Sequence, residues 1–146
     1  MNVDILLVTH EQIGSQLIAT AEAIFCQEMA PVACVSVPAN ATPQQLGGYV
    51  DQIRDTMVEQ DSGAGVLVLT DVYGATPDNL ARYFTKQGNA RVVSGVNLPM
   101  LLRVLNYSRQ SLQQLCETAV AGGESGIQQG NIPLADMQSI NIRQVS

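Results

Sequence analysis

Four short runs of aliphatic and β-branched residues, nearly free of charge, alternate along the chain with stretches of helical periodicity. The runs read VDILLV, VACVSV, GVLVLT and ARVVSGV, and they begin at residues 3, 32, 65 and 90. Strands of this composition are typical of a parallel sheet that is covered on both faces. The alternation therefore predicts a doubly wound α/β fold with a mainly parallel central sheet and right-handed crossovers.

The stretches between the strands carry apolar residues at helical spacing or begin with helix-start signals. We expect helices over residues 14–29 and 42–60, and a third helix that Thr76, Pro77 and Asp78 begin, with Thr76 as its cap. Beyond residue 98 we expect a short helix, a longer helix over 111–120 and a turn-rich segment at 122–133. The polar, alternating residues 137–145 predict a last strand, either at the edge of the sheet or exchanged in a dimer.

Length and charge restrict the class of protein. A chain of 146 residues can bury one core without disulfides or a metal, so we expect a single domain over residues 1–146. A net charge of −6 with seven scattered basic residues argues against a nucleic-acid partner and suits a basic protein partner. No apolar run approaches the roughly 18 residues of a membrane span, and the first residues resemble a strand rather than a signal peptide. We therefore expect a cytoplasmic protein.

The positions of the cysteines and the single histidine argue against a bound metal or other cofactor. Cys26, Cys34 and Cys116 are widely spaced among apolar neighbours, so we predict core or near-core thiols rather than disulfides or a redox site. One histidine with scattered acids offers no metal-ligand cluster. The chain also lacks the glycine-rich loops that bind nucleotides, so neither a metal nor another cofactor is expected.

His10, the only histidine, is at the end of the first predicted strand, which finishes in Val8-Thr9-His10. Ligands of doubly wound folds bind at the carboxyl ends of the strands, and the amides of a following helix start favour anions. Imidazole is a competent nucleophile near neutral pH, and a phosphorylated ring nitrogen leaves readily. These properties predict a phosphoryl relay on His10, the alternative being a structural or merely exposed histidine.

Asp71 ends the third predicted strand. If the first and third strands are neighbours, as in the flavodoxin-like order, Asp71 and His10 fall close together. A carboxylate there would accept a hydrogen bond from one ring nitrogen and orient the other for attack. The alternative is that Asp71 only begins a turn.

The loop after Asp71 predicts a phosphate-binding turn. Gly74 permits a tight backbone path. We expect the amides around Ala75 and Thr76, together with the hydroxyls of Thr76 and Thr9, to hold the phosphoryl oxygens.

Other polar residues lie at the predicted rim of the site. Glu11, beside His10, is either a base or an acid placed favourably in the helix dipole of a first turn. The dipole placement is the more usual one, and close to a phosphoryl group the carboxylate would repel it. Asn97 and Pro99 follow the fourth strand at the same edge of the sheet. They either line the mouth of the site or shape a turn and cap the next helix.

Three motifs occur in order and together carry a family resemblance: VTH at the end of the first strand, LTDVYGATPDN at the end of the third and GVNLPMLLRVL after the fourth. In these motifs the chain resembles the mannose-type (mannose, fructose and sorbose) IIA proteins of the bacterial phosphoenolpyruvate:sugar phosphotransferase system (PTS). The resemblance implies a phosphoryl carrier in which His10 is phosphorylated, Asp71 is its hydrogen-bonding partner and Thr76 supplies a hydroxyl at the phosphate-binding helix start.

The same resemblance implies the partners. Phospho-HPr would be the donor and a IIB protein the acceptor, with a membrane permease reached only through them. It also implies a homodimer in which the last strand is exchanged. Many relatives have glycine where this chain has Glu11, and a tryptophan is common where it has Tyr73. Both residues belong to the expected partner-facing rim, so these departures bear on the partner rather than on the chemistry.

Other functions share parts of this pattern. The phosphoryl-donor subunit of a dihydroxyacetone kinase resembles the same fold and uses a histidine at the same strand end. A regulatory module sensed through its phosphorylation state would also keep His10. A response-regulator receiver would instead be phosphorylated on Asp71, but it needs an acidic pair after the first strand for magnesium, where this chain has VTHE.

Overall fold

The computed structural model describes residues 2–26, 29–60, 62–86 and 88–130. Within these ranges four parallel strands form one sheet in the order β2-β1-β3-β4. They are β1 (Asp4–His10), β2 (Val32–Val37), β3 (Val66–Thr70) and β4 (Ala90–Ser94). The predicted α/β fold and the adjacency of the first and third strands are confirmed.

The helices cover both faces of the sheet, as the doubly wound prediction requires. They are α1 (Ile13–Phe25), α2 (Pro43–Gln60), α3 (Thr76–Tyr83), α4 (Leu98–Asn106) and α5 (Leu112–Ser125), with a short 3-10 helix at Phe84–Lys86. On one face, α1, α4 and α5 pack on Ile5, Leu7, Leu67 and Leu69. On the other face, α2 and α3 pack on Leu6, Val8 and Val68. Burial of these aliphatic side chains is the main stabilising contribution to the fold.

The register of the strands places the site. Val8 of β1 pairs with Thr70, the last residue of β3, while Thr9 and His10 continue to pair with β2. Strand β1 ends at His10, as predicted, because β2 supports its last two residues. His10 and the residue after Thr70 lie at the same carboxyl edge of the sheet.

Two helix ends differ from the predictions. Helix α1 ends at Phe25 instead of residue 29, because Cys26 adopts a left-handed backbone with φ 53°. Helix α5 continues to Ser125, so the first part of the predicted turn-rich segment is helical. A Cβ on Gly122 would lie 2.7 Å from Arg103 Cβ. Glycine at this position therefore reflects close packing of α5 on α4 rather than a turn.

The cysteine prediction holds in part. Cys34 and Cys116 are partly buried, and burial raises the pKa of both thiols. Cys26 is exposed, so its assignment to the core was wrong. The predicted last strand at 137–145, and its exchange in a dimer, lie outside the described residues. None of the helices in the described part of the chain is long and apolar enough to span a membrane.

Candidate functional site

His10 and Asp71 meet at the carboxyl edge of the sheet. Asp71 Oδ2 lies 2.8 Å from His10 Nδ1 and accepts a second hydrogen bond from the His10 backbone N–H at 3.0 Å. The other carboxylate oxygen, Oδ1, accepts from the backbone N–H of Val72 at 3.1 Å. The Asp71 side chain is 6% exposed and that of His10 is 27% exposed. The carboxylate is thus fixed from two sides, while the imidazole is open to solvent.

This geometry assigns the tautomer of His10. An ionised carboxylate has no proton to donate, so Nδ1 carries the proton and donates it to Asp71. The second ring nitrogen, Nε2, then keeps its lone pair. In this tautomer the geometry leaves Nε2 available as a nucleophile, with a carboxylate beside the ring where it can stabilise positive charge.

Two backbone N–H groups of the loop between β3 and α3 donate hydrogen bonds to acceptors in the same segment of the chain. The Gly74 N–H donates to Asp78 Oδ2 at 3.0 Å, and the Ala75 N–H donates to the Val72 carbonyl at 3.2 Å. Gly74 has φ +81°, a conformation that glycine adopts without strain. Both amides therefore have acceptors within the loop, and the predicted phosphate-binding role of Gly74 and Ala75 stays a prediction.

Thr76 is the first residue of α3 rather than its cap. Ala75 occupies the N-cap position with extended backbone and forms no side-chain cap bond. Thr76 itself is exposed. In the described ranges, the amides of Tyr73 and Thr76 have no hydrogen-bond acceptor. These two amides and the Thr76 hydroxyl are the groups of this loop that are available to an anion.

Thr9 has a different place from the predicted one. Its side chain is fully buried, and Oγ1 accepts a hydrogen bond from the Gly14 N–H at 2.8 Å. A Cβ on Gly14 would lie 2.9 Å from the same oxygen and 2.7 Å from Cys34 Sγ. Thr9 thus supports the first turn of α1, and the prediction of a direct phosphate contact is corrected.

Glu11 and Tyr73 lie at the rim of the site. Glu11 has φ 47°, in the left-handed region, and its Oε1 accepts a hydrogen bond from the Ala39 N–H at 2.8 Å. This backbone conformation favours glycine over residues with a Cβ. The Tyr73 side chain is 77% exposed, and its ring centroid lies 5.0 Å from Arg82 Cζ.

Asn97 and Pro99 shape the start of α4. Asn97 Oδ1 accepts from the Met100 N–H at 2.9 Å, and Asn97 Nδ2 donates to the Gly123 carbonyl at 3.1 Å. Of the two interpretations of Asn97, the structure shows the helix cap, which also ties α4 to α5. Pro99 is exposed in the first turn of α4 and lies against Gly126, where a Cβ would come within 2.4 Å of it.

Asp78 was predicted only as part of a helix start, yet it is a fully buried carboxylate. Burial acts to raise its pKa, but hydrogen bonds from Arg82, Gly74, Ser94 and Thr70 outweigh burial and hold the pKa at about 2. The available sequence signal was the spacing of Asp78 and Arg82, four residues apart on one helix. Within the described residues, no group of three His, Cys, Asp or Glu side chains forms a metal-ligand arrangement.

Known proteins share both the sequence and the fold. A family model described as "PTS system fructose IIA component" (EIIA-man) matches residues 4–120. The PTS system mannose-specific EIIAB component of Escherichia coli (strain K12) is 28% identical over 130 residues, which cover 87% of this chain and 39% of that protein. This chain therefore spans well under half the length of that relative. The PTS system sorbose-specific EIIA component of Lacticaseibacillus casei is 37% identical over 81 residues, covering 53% of this chain and 58% of that protein.

Solved structures agree with this assignment. The mannose/sorbose specific IIA subunit of the phosphotransferase system from Enterococcus faecalis superposes with a TM-score of 0.79, at 26% identity, over 91% of this chain and 98% of that chain. The PTS IIA protein associated with the fucose utilization operon from Streptococcus pneumoniae shares the fold, with a TM-score of 0.72 at 22% identity, over 96% of this chain and 98% of that chain. This chain therefore belongs to the EIIA-man family of IIA components of the sugar phosphotransferase system.

Proposed function

We propose that this chain is a phosphoryl carrier that accepts a phosphoryl group from phospho-HPr on Nε2 of His10 and transfers it to a IIB protein. The observation that carries the proposal is the 2.8 Å contact between His10 Nδ1 and Asp71 Oδ2 at the carboxyl edge of the sheet. Membership of the IIA family supports the same role. The transfer would serve sugar uptake or regulation by the PTS.

In the transfer, phosphorus exchanges its bond to the donor for a bond to His10. The lone pair of His10 Nε2 forms a new N–P bond as the bond between phosphorus and the donor breaks, and the donor atom keeps the released electron pair. Nδ1 of His10 retains its proton, so the ring gains positive charge, which the Asp71 carboxylate stabilises. In transfer to the acceptor, a nucleophile of the acceptor forms a bond to phosphorus opposite Nε2 as the N–P bond to His10 breaks, and the His10 ring keeps the released electron pair.

The start of α3 supplies a place for the phosphoryl oxygens. The free amide of Tyr73 lies in the loop before α3, and the free amide and exposed hydroxyl of Thr76 lie at the first residue of α3. The positive end of the helix dipole adds to their attraction for an anion. Asp78 lies in the same turn, but its charge is paired with Arg82 at 2.8 Å and does not oppose the bound group as a free carboxylate would.

The surroundings of His10 suit a protein partner. Ile13, Val72 and Tyr73 are 45%, 54% and 77% exposed, so apolar surface lies within a few residues of His10 and Asp71 in the chain. We propose these residues, with Glu11 and Pro99, as the partner-facing rim. We propose likewise a homodimer in the cytoplasm, which contacts a membrane permease only through its partners.

Mass spectrometry of the intact protein tests the carrier function. The chain is incubated with phosphoenolpyruvate, Enzyme I and HPr, beside a matched His10→Ala variant. We expect one acid-labile phosphoryl adduct on the wild type and none on the variant. Absence of the adduct on the wild type, while HPr is shown to be phosphorylated, would refute the proposal.

A second step identifies the acceptor. The phosphorylated chain is purified and mixed separately with a mannose-type IIB protein and with the kinase subunits of a dihydroxyacetone kinase. We expect loss of the adduct with the IIB protein. If the adduct is lost only with the kinase subunits, this chain is the phosphoryl donor of the kinase, and His10 keeps its role as the phosphorylated residue.

A further inference from the structure

We infer that Asp78 is a positioning residue for transfer at His10: its buried carboxylate holds the loop that carries Asp71 and thereby keeps the His10 ring in its Nδ1-protonated form. The expected effect on the transfer rate rests on the proposed function. The expected effect on the His10 tautomer can be measured without any phosphoryl transfer.

Both oxygens of the Asp78 carboxylate are saturated by donors. Oδ1 accepts from Thr70 Oγ1 and from Ser94 Oγ, each at 2.6 Å. Oδ2 accepts from the Gly74 N–H at 3.0 Å and from Arg82 Nε at 2.8 Å. A buried carboxylate with four donors is held rigidly, because loss of any donor would leave part of its charge uncompensated.

Two of these donors flank the segment that holds Asp71. Thr70 immediately precedes Asp71, and Gly74 lies three residues after it. One carboxylate therefore fixes both ends of the segment 71–73, which contains Asp71 and the free amide of Tyr73. The Thr70 carbonyl also accepts from the N–H groups of Gly95 and Val96, so the loop after β4 is tied to the same point.

Arg82 extends this arrangement to the rim of the site. Its Nη2 donates to Ser94 Oγ at 2.8 Å, and its Cζ lies 5.0 Å from the centroid of the Tyr73 ring. The residue that neutralises Asp78 thus also stacks on the exposed ring of the Asp71 loop. Movement of this loop would disturb contacts to both α3 and β4.

An amide at position 78 holds the loop less firmly than the carboxylate. In Asp78→Asn, one side of the side chain becomes an NH₂ group, which meets the Thr70 and Ser94 hydroxyls only if both turn to accept. The neutral side chain also no longer balances the charge of Arg82, so the contacts that hold the loop weaken and the loop relaxes. The Asp71 contact to Nδ1 then weakens, and because misplacement by a fraction of an ångström is costly in transfer reactions, the rate falls.

His10 is the only histidine, so its ring gives a single, unambiguous set of ¹⁵N signals. We would record two-bond ¹H–¹⁵N correlations of the unphosphorylated wild type and of Asp78→Asn. The matched control is Asp51→Asn, which removes an exposed helical aspartate that also pairs with an arginine. We expect the Nδ1-protonated form to dominate in the wild type and control, and a clear gain of the Nε2-protonated form in Asp78→Asn.

The same proteins are then compared in phosphoryl transfer from phospho-HPr. We expect the maximal rate of Asp78→Asn to fall roughly tenfold or more, with KM for phospho-HPr within about twofold of wild type. If Asp78→Asn does not fold, Ser94→Ala removes one donor to the same carboxylate, and a smaller change in the same direction is expected. A folded variant with unchanged tautomer signals and unchanged rates would overturn the inference. If the wild type and Asp78→Asn differ in tautomer but the wild type takes up no phosphoryl group, only the proposed function is refuted.

Discussion

A single oxygen of Asp71, Oδ2, accepts hydrogen bonds from both the backbone nitrogen and the ring nitrogen Nδ1 of His10, at 3.0 and 2.8 Å. The carboxylate therefore fixes the position of the main chain and the orientation of the side chain of the same residue. Fine control of one imidazole is required when that ring must attack and later release a phosphoryl group.

Asp71→Asn should keep the fold and slow the transfer. The amide oxygen can still accept from the His10 N–H groups, but it carries no full charge to stabilise the phosphorylated ring. We expect the transfer rate to fall by roughly 10- to 1,000-fold, which corresponds to about 1.4 to 4 kcal/mol of activation free energy. Quenched-flow measurement of adduct formation checks this, with thermal unfolding as the control for folding. Wild-type rates in a folded variant would exclude Asp71 from the mechanism.

Glu11→Gly and Glu11→Ala should differ in stability. Both lose the hydrogen bond to the Ala39 N–H, but only glycine adopts the φ of 47° without strain. We expect the glycine variant to have the larger free energy of unfolding, by about 1 kcal/mol. Urea unfolding of the two proteins measures the difference directly. An alanine variant as stable as the glycine variant would show that the backbone at position 11 relaxes.

The pairing of His10 with Asp71 could be predicted because it depends on patterns that are local in sequence. Charge-poor apolar runs indicate buried parallel strands, and parallel strands bring their carboxyl ends to one edge. The last residue of β1, His10, and the residue that follows β3, Asp71, were therefore placed at the same edge before any side-chain geometry was known. Their catalytic roles stay predictions.

The roles of Thr9 and Asp78 could not be predicted in this way. Whether Thr9 Oγ1 faces an anion or the Gly14 N–H depends on how tightly α1 packs on β1 and β2. The Asp78 contacts join α3 to Thr70, eight residues earlier, and to Ser94, sixteen residues later. Such contacts follow from the three-dimensional packing of helices on a sheet, which sequence periodicity does not encode.

Glycine-to-alanine substitutions should have opposite effects in two helices. A Cβ on Gly122 of α5 would lie 2.7 Å from Arg103 Cβ, whereas a Cβ on Gly48 of α2 would meet nothing within 4 Å. Gly48→Ala should raise the free energy of unfolding by about 0.5 to 1 kcal/mol, through helix propensity and a less flexible unfolded chain. Gly122→Ala should lower it by about 1 to 3 kcal/mol, because α4 and α5 must move apart.

Urea unfolding of both variants beside the wild type measures these changes. Gly47→Ala serves as a second control, since its added Cβ would also meet nothing within 4 Å. A stabilised Gly122→Ala protein would contradict the close packing of α5 on α4.

The stabilising effect of Asp78 should depend on pH in a defined direction. Despite burial, its hydrogen bonds with Arg82, Gly74, Ser94 and Thr70 lower its pKa from 3.8 to about 2 in the folded protein. The unfolded chain therefore binds the proton at a higher pH than the folded chain, so this contribution is complete above about pH 4 and declines as the pH falls toward 2. The difference in pKa corresponds to about 2 kcal/mol.

The comparison with Asp78→Asn isolates this contribution, because the amide does not titrate and the other acidic groups are common to both proteins. Urea unfolding of both proteins is measured at several pH values from about 7 down to 2.5. We expect the wild type to be more stable at neutral pH and its advantage to decrease, by up to about 2 kcal/mol, only below about pH 4. An advantage that stays constant over this range would show that Asp78 is not stabilised as an ionised carboxylate, and would also remove the basis for its hold on the Asp71 loop.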